Sequence, residues 1–136
     1  MSAQDNIQTV KNLYAAQKNG DQGTMFNRCA ENVRVVLDTA AGGIPWSGEY
    51  EGHAGLEAEQ LLMAEFLRVD ALEQLDFLAS ETKVAVVSKI EVTVKKKNGR
   101  KVSLPRFVHI MTCNAANKIT HICQCYDPTD LAAALL

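Results

Sequence analysis

From Val84 to Lys95 the chain alternates without a break. Val84, Val86, Ser88, Ile90, Val92 and Val94 fall on one side, and Ala85, Val87, Lys89, Glu91, Thr93 and Lys95 on the other. A sustained period of two predicts a strand with one face buried. Asn98-Gly99 follows, a pair suited to a two-residue type I′ hairpin turn, whose central positions both need positive φ. The partner strand runs over 101–113, Asn114-Ala115-Ala116-Asn117 makes the next turn, and a last strand covers 118–126 before Asp127-Pro128. A type I′ turn would set Lys97 opposite Arg100, Glu91 opposite Arg106 and Ser88 opposite His109. Pro105 has no N–H to give, so the ladder there needs an edge or a bulge.

The first half of the chain supplies a cover for this sheet. Residues 5–18 read as a helix with Ile7, Val10, Tyr14 and Gln17 on one face, stopped by Asn19-Gly20. Asp21 has the position of an N-cap for a second, short helix that buries Met25, Phe26 and Cys29. Val33–Leu37 is a strand, and Asp38–His53 a long connection rich in Gly, Ala and Ser, of a kind often functional in compact domains. A third helix covers about 54–67, burying Leu56, Met63, Phe66 and Leu67. Residues 69–79 read as a strand leading into the alternating run, and Leu131–Leu136 as a short apolar tail. Helices first and strands last predict an α+β fold, a curved antiparallel sheet wrapped on N-terminal helices, as one domain over residues 1–136.

Composition narrows the function. A hydrophobic content of 47% supports a proper interior, and a net charge of −2 gives no general attraction to nucleic acid. The basic run Lys95-Lys96-Lys97-Asn98-Gly99-Arg100-Lys101 straddles the turn and reads as a solvated hairpin tip. Apolar runs fall far short of the ~20 residues that span a bilayer, so no membrane partner is expected. Met1–Asn6 lacks the basic start and apolar core of a secretory signal, which points to the cytoplasm. Cys29, Cys113, Cys123 and Cys125 are expected as buried thiols, with Cys123 and Cys125 spaced at the limit for a disulfide. The spacing His121-x-Cys123-x-Cys125 on one strand makes the ligands diverge, so no metal is expected. No phosphate loop, nucleophilic Ser or Cys constellation or HExxH helix implies a cofactor.

Three stretches carry a family resemblance. Pro45-Trp46-Ser47-Gly48-Glu49-Tyr50-Glu51-Gly52-His53-Ala54-Gly55-Leu56 is similar to the Pro-aromatic-x-Gly-x-Tyr-x-Gly-x-x-Gly-aliphatic stretch before the third helix of SnoaL-like proteins. Lys118-Ile119 through Cys125-Tyr126-Asp127 resembles their final strand, and Asn19-Gly20-Asp21 their first helix turn. Over nearly its whole length the chain resembles the SnoaL-like and ketosteroid-isomerase-related branch of the nuclear transport factor 2 superfamily. That implies a cone whose concave sheet face and helices enclose a pocket for a small apolar molecule. Ketosteroid isomerases use an Asp base at the end of the first strand, a helical Tyr and a protonated Asp on a later strand, the last two forming an oxyanion hole.

Tyr14 matches the helical Tyr. Asp38 is the candidate base at the end of the first strand, although an ungapped count from Gly20-Asp21 puts that position on Leu37, and one residue of slip reverses a side chain's face. The oxyanion-hole Asp is absent; counting back from the final turn puts His109 there, and aligning on Pro105 puts Phe107 there. The candidates are therefore Asp38, Tyr14 and His109 for catalysis, with Trp46, Phe107, Met111, Gln124 and Tyr126 lining the substrate site. His53 reads as an exposed loop residue, and His121 as facing away from His109. Arg106 also alternates away, which weakens the Asp-Arg-Asp relay of the superfamily's epoxide hydrolases. The resemblance implies proton transfer on an apolar carbonyl compound, as an isomerase, cyclase or dehydratase performs it. The alternatives are a non-catalytic small-ligand binder and an interaction module whose cone its own side chains fill. Val87, Val108, Ile110, Cys123 and Cys125, with Thr93 and His121 at the margin, make an outward apolar patch that predicts a homodimer through the open face.

Overall fold

In the computed structural model, which describes residues 2–37, 43–96 and 99–136, two helices come first, two strands and a third helix follow, and four strands lead to a last short helix. Helix α1 (Ala3–Lys18) starts at a capping box: the Ser2 hydroxyl accepts from the Asp5 N–H, and the Asp5 carboxylate accepts from the Ser2 N–H. Its buried face carries Asn6, Thr9, Val10, Leu13, Tyr14 and Ala16. The stripe is rotated from the expected one, with Ile7 half-buried and Gln17 exposed. Asp21 caps α2 (Gln22–Arg28), as its position predicted, by accepting from the Thr24 N–H at 3.1 Å. Cys29 is buried, but it opens β1 (Cys29–Leu37) instead of ending the helix.

The expected structureless connection contains a strand. β2 (Gly48–Glu51) runs antiparallel to β1, with Tyr50 opposite Val35. Gly52, at φ +74°, turns the chain into α3 (Gly52–Phe66), and a Cβ there would meet the Glu31 carbonyl oxygen at 3.2 Å. At Gly55 a Cβ would press on Tyr50 at 3.1 Å. These two close approaches account for the Gly-x-x-Gly spacing. His53 therefore lies in the first turn of α3, half-buried, with its ring stacked on Phe26 and its Nε2 3.1 Å from the Cys29 carbonyl oxygen. The exposed loop position expected for it is incorrect.

The remaining elements are β3 (Leu67–Ala79), β4 (Lys83–Val94), β5 (Arg100–Cys113), β6 (Ile119–Cys125) and α4 (Thr129–Leu135), the last formed by the expected tail. One six-stranded sheet results, in the order β2-β1-β6-β5-β4-β3. The fold is α+β as expected. Its sheet is antiparallel except where β1 and β6, far apart in sequence, lie parallel.

The hairpin register differs from the type I′ expectation. Val94 pairs with Arg100, so residues 95–99 lie between the paired positions, and Asn98 itself is outside the described residues. Glu91 consequently opposes Ser103 instead of Arg106; Ser88 opposes Phe107, and Val86 opposes His109. The bulge expected at Pro105 is present. Between the pairs Ile90–Leu104 and Ser88–Phe107, Pro105 and Arg106 face the single residue Lys89. Leu104 and Phe107 can then both turn inward, and both are buried.

One core cluster joins α1, α3, α4 and the inner sheet face, with Val10, Val33, Val84, Val86 and Ile119 fully buried. No helix among the described residues is long and apolar enough to cross a membrane. On the outer face Val87, Val108, Ile110 and Cys123 are half-buried and Cys125 is exposed. The expectation of four buried thiols is thus corrected, because β6 turns these two cysteines outward. Their sulfurs do not diverge either, lying 3.7 Å apart. Thr93 is buried rather than marginal, its hydroxyl donating to Asp70. The edge strand β3 leaves Val69, Leu72, Leu75 and Leu78 exposed.

Asp21→Ala should cost about 1 kcal/mol, the usual value of an N-cap. Urea unfolding of the two proteins measures it, and an unchanged midpoint would show that α2 needs no side-chain cap.

Candidate functional site

The inner sheet face, α1 and α3 enclose a cavity of about 800 Å³. That is within the ~300–1,000 Å³ typical of small-molecule sites. Apolar residues dominate its wall. Trp46, held in the turn before β2, contributes its ring, and Tyr50 braces that turn by donating to the Trp46 carbonyl oxygen at 2.8 Å. β5 brings Phe107, His109 and Met111 inward, and β6 brings Gln124, the register partner of His109. Tyr126 follows β6 and stacks on Phe107, ring centres 4.9 Å apart; Phe107 meets His109 edge-on, also at 4.9 Å. All five residues expected to line a substrate site are on this wall.

Two of the three expected catalytic residues meet here. The Tyr14 hydroxyl lies 2.5 Å from His109 Nδ1. Burial holds the His109 imidazole well below its ordinary value, at about 4, and pushes the Tyr14 phenol up. Both groups are neutral at pH 7. If Nδ1 carries the proton, it donates to the Tyr14 oxygen and the Tyr14 O–H is free for a ligand. If Nε2 carries it, Tyr14 donates to Nδ1 and the Nε2–H is free instead. Either tautomer leaves the pair one donor to offer. Asp38 lies outside the described residues. Arg106 and His121 are exposed, as their alternation predicted.

The sequence reading missed Glu59. It lies on α3, is only 3% exposed, and lines the cavity. Its Oε1 has no hydrogen-bond partner among the described residues. Burial pushes its carboxyl up to about 7. The signal was present: Leu56, Glu59, Met63 and Phe66 are spaced three, four and three residues apart, which places a carboxylate on the inward stripe of a helix.

No protein-family model and no curated protein matches the sequence. Solved structures do. An NTF2-like protein from Burkholderia xenovorans shares 29% identity, with a TM-score of 0.88 and coverage of 100% of this chain and 99% of that one. The chain has the NTF2-like fold. Within the NTF2-like fold it is also similar to TerC, in a structure co-crystallised with polyporic acid, at 22% identity and a TM-score of 0.82 over 96% of this chain and 98% of TerC. A Δ5-3-ketosteroid isomerase from Mycobacterium sp. aligns at 19% identity and a TM-score of 0.72, covering 95% of this chain and 96% of its own. The NTF2-like cone is thus a fold it shares with an isomerase.

The two shifted groups pull stability in opposite directions with pH. Glu59 binds its proton more tightly when folded, so its contribution is complete below the unfolded value of 4.5 and fades as pH rises to about 7. His109 binds its proton less tightly when folded, so its contribution grows as pH rises from about 4 to 6.5. Between 4.5 and 6.5 the two slopes oppose each other. Thermal melts across that window should give a nearly flat Tm for the native protein. They should rise with pH in Glu59→Gln and fall with pH in His109→Gln. Parallel curves for all three proteins would refute the assignment.

Proposed function

We propose that the chain is a small-molecule pocket protein that moves a proton on an apolar, carbonyl-bearing substrate, as an isomerase, cyclase or dehydratase does. The observation that carries this reading is the Tyr14–His109 pair, two neutral groups 2.5 Å apart in an apolar cavity of about 800 Å³. A carbonyl oxygen placed against the pair gains a hydrogen bond that strengthens as negative charge develops on it. The base in this scheme is Asp38, proposed from its place after β1. It takes a proton from the carbon next to the carbonyl, the C–H electron pair moves onto the oxygen, and the proton returns at another position. A positioned base contributes roughly 10²–10⁴ in rate. Structural neighbours support the reading at the level of the fold: one isomerises ketosteroids, and TerC was crystallised with polyporic acid.

A non-catalytic binder needs only the cavity, and the same cavity speaks against a cone filled by its own side chains. Exchange of the α-protons of 2-tetralone in deuterium oxide, followed by proton NMR, separates catalysis from binding. The native protein should accelerate exchange, Asp38→Asn should abolish it, and Tyr14→Phe should slow it by ~10-fold or more. Binding of the ketone without faster exchange would favour the binder.

The outer face supports a homodimer as part of this proposal, since Val87, Val108 and Ile110 lie there in one apolar row. Light scattering at micromolar concentration should report two chains; a monomer mass would refute it.

A further inference from the structure

Glu59 is a buried carboxyl on the cavity wall that the proton-transfer reading leaves unused. Its Oε1 is buried and without a partner among the described residues. A buried acceptor left unpaired costs roughly 1–3 kcal/mol, and more when charged. Burying a carboxyl at the wall of a cavity, with one oxygen unsatisfied, makes sense where an incoming molecule supplies the missing donor. Its surroundings indicate what kind of molecule.

Glu59 lies close enough to Tyr126 and Tyr50 to push both phenols up, alongside their burial. Tyr126 stacks on Phe107, and Phe107 meets His109. Gln124, the partner of His109, is two residues before Tyr126, roughly 7 Å along the strand direction. Two aromatic rings thus stand between the Tyr14–His109 pair and the Glu59 end of the wall. A flat body of about two fused rings covers that wall while an oxygen at each end reaches a polar group.

We infer that Glu59 anchors a hydroxyl of the ligand, so that the cavity selects a carbonyl compound carrying an alcohol or phenol at its far end. The inference rests on the reading of Tyr14 and His109 as the carbonyl pole. A hydroxyl suits a carboxyl in either protonation state, since it donates to the bare oxygen and accepts from the protonated one. An ammonium ligand would have to pass Lys11 and Lys18, which line the cavity from exposed positions on α1. A carboxylate ligand would meet Glu59 as a like charge.

Trp46, the one tryptophan of the chain, is on the cavity wall, and its fluorescence reports binding. The probes are 2-tetralone, with a carbonyl alone, and 6-hydroxy-2-tetralone, which adds a phenol at the opposite end. The native protein should bind the hydroxylated probe roughly tenfold more tightly, the worth of one good hydrogen bond. Glu59→Met should close that gap, the two probes then binding alike. Glu59→Gln, which keeps an acceptor, should retain most of it. Equal affinities in the native protein, or a gap that survives in Glu59→Met, would overturn the inference and leave the proton-transfer reading standing. Loss of 2-tetralone exchange in Glu59→Met would overturn it differently, by making Glu59 the base. If neither probe changes Trp46 fluorescence, the cavity is not a site for such ketones and both readings fall together. The native protein alone decides the first outcome, so the test survives a variant that does not fold.

Discussion

The Tyr14–His109 pair depends on which way β5 faces, and β5 would face the wrong way if it were regular throughout. Leu104 and Phe107 are three apart, so in an unbroken strand one of them would point outward. The bulge at Pro105-Arg106 absorbs the odd residue, and Pro105, having no N–H, gives up no ladder bond of its own there. Leu104 stays in the core near the hairpin, while Phe107, His109 and Met111 are delivered to the cavity. Without the bulge His109 would move to the outer face and Tyr14 would lose its partner. A backbone irregularity thus specifies the chemistry of the site.

The cavity holds ionisable groups at unequal cost. His109 and Tyr14 satisfy one another, and neutrality suits both. Glu59 has no such partner for its Oε1, and desolvation alone accounts for its displaced titration. A core under selection for stability alone would place leucine or methionine there, as the rest of the α3 stripe does. Keeping a carboxyl at that position is the kind of local inconsistency that marks a site rather than a scaffold.

Much of this was legible in the residues. Alternation from Val84 to Lys95 gave β4 its extent and its inward face, and the inward parity of Phe107, His109 and Met111 followed from the next strand. Asp21 announced its helix. Other features were hidden for physical reasons. Counting outward from Asn98-Gly99 misplaces β4 on β5 because the paired strands end at Val94 and Arg100, and the bulge takes back only part of that offset. β2 is four residues long and held by packing around Trp46, Tyr50 and Gly55, a tertiary effect that local propensity does not encode. The β1–β6 pair is a contact between distant segments with no local signature. Glu59 was overlooked because the α3 stripe was read only for its apolar members.

That parallel pair has a consequence for the order of assembly. β1 spans 29–37, and its inner neighbour β6 spans 119–125, so the two halves of the sheet are joined only by a closure across most of the chain. Until β6 arrives, β1 keeps one edge unpaired, and β2 cannot cover it because β2 occupies the other edge. During synthesis the N-terminal helices and the β1–β2 pair emerge long before their sheet partner. They must wait with an apolar strand open to any passing edge. Non-local closure of this kind is slow relative to hairpin formation. The cavity wall is therefore among the last parts of the molecule to exist, and a ligand that fits it can favour only the finished chain.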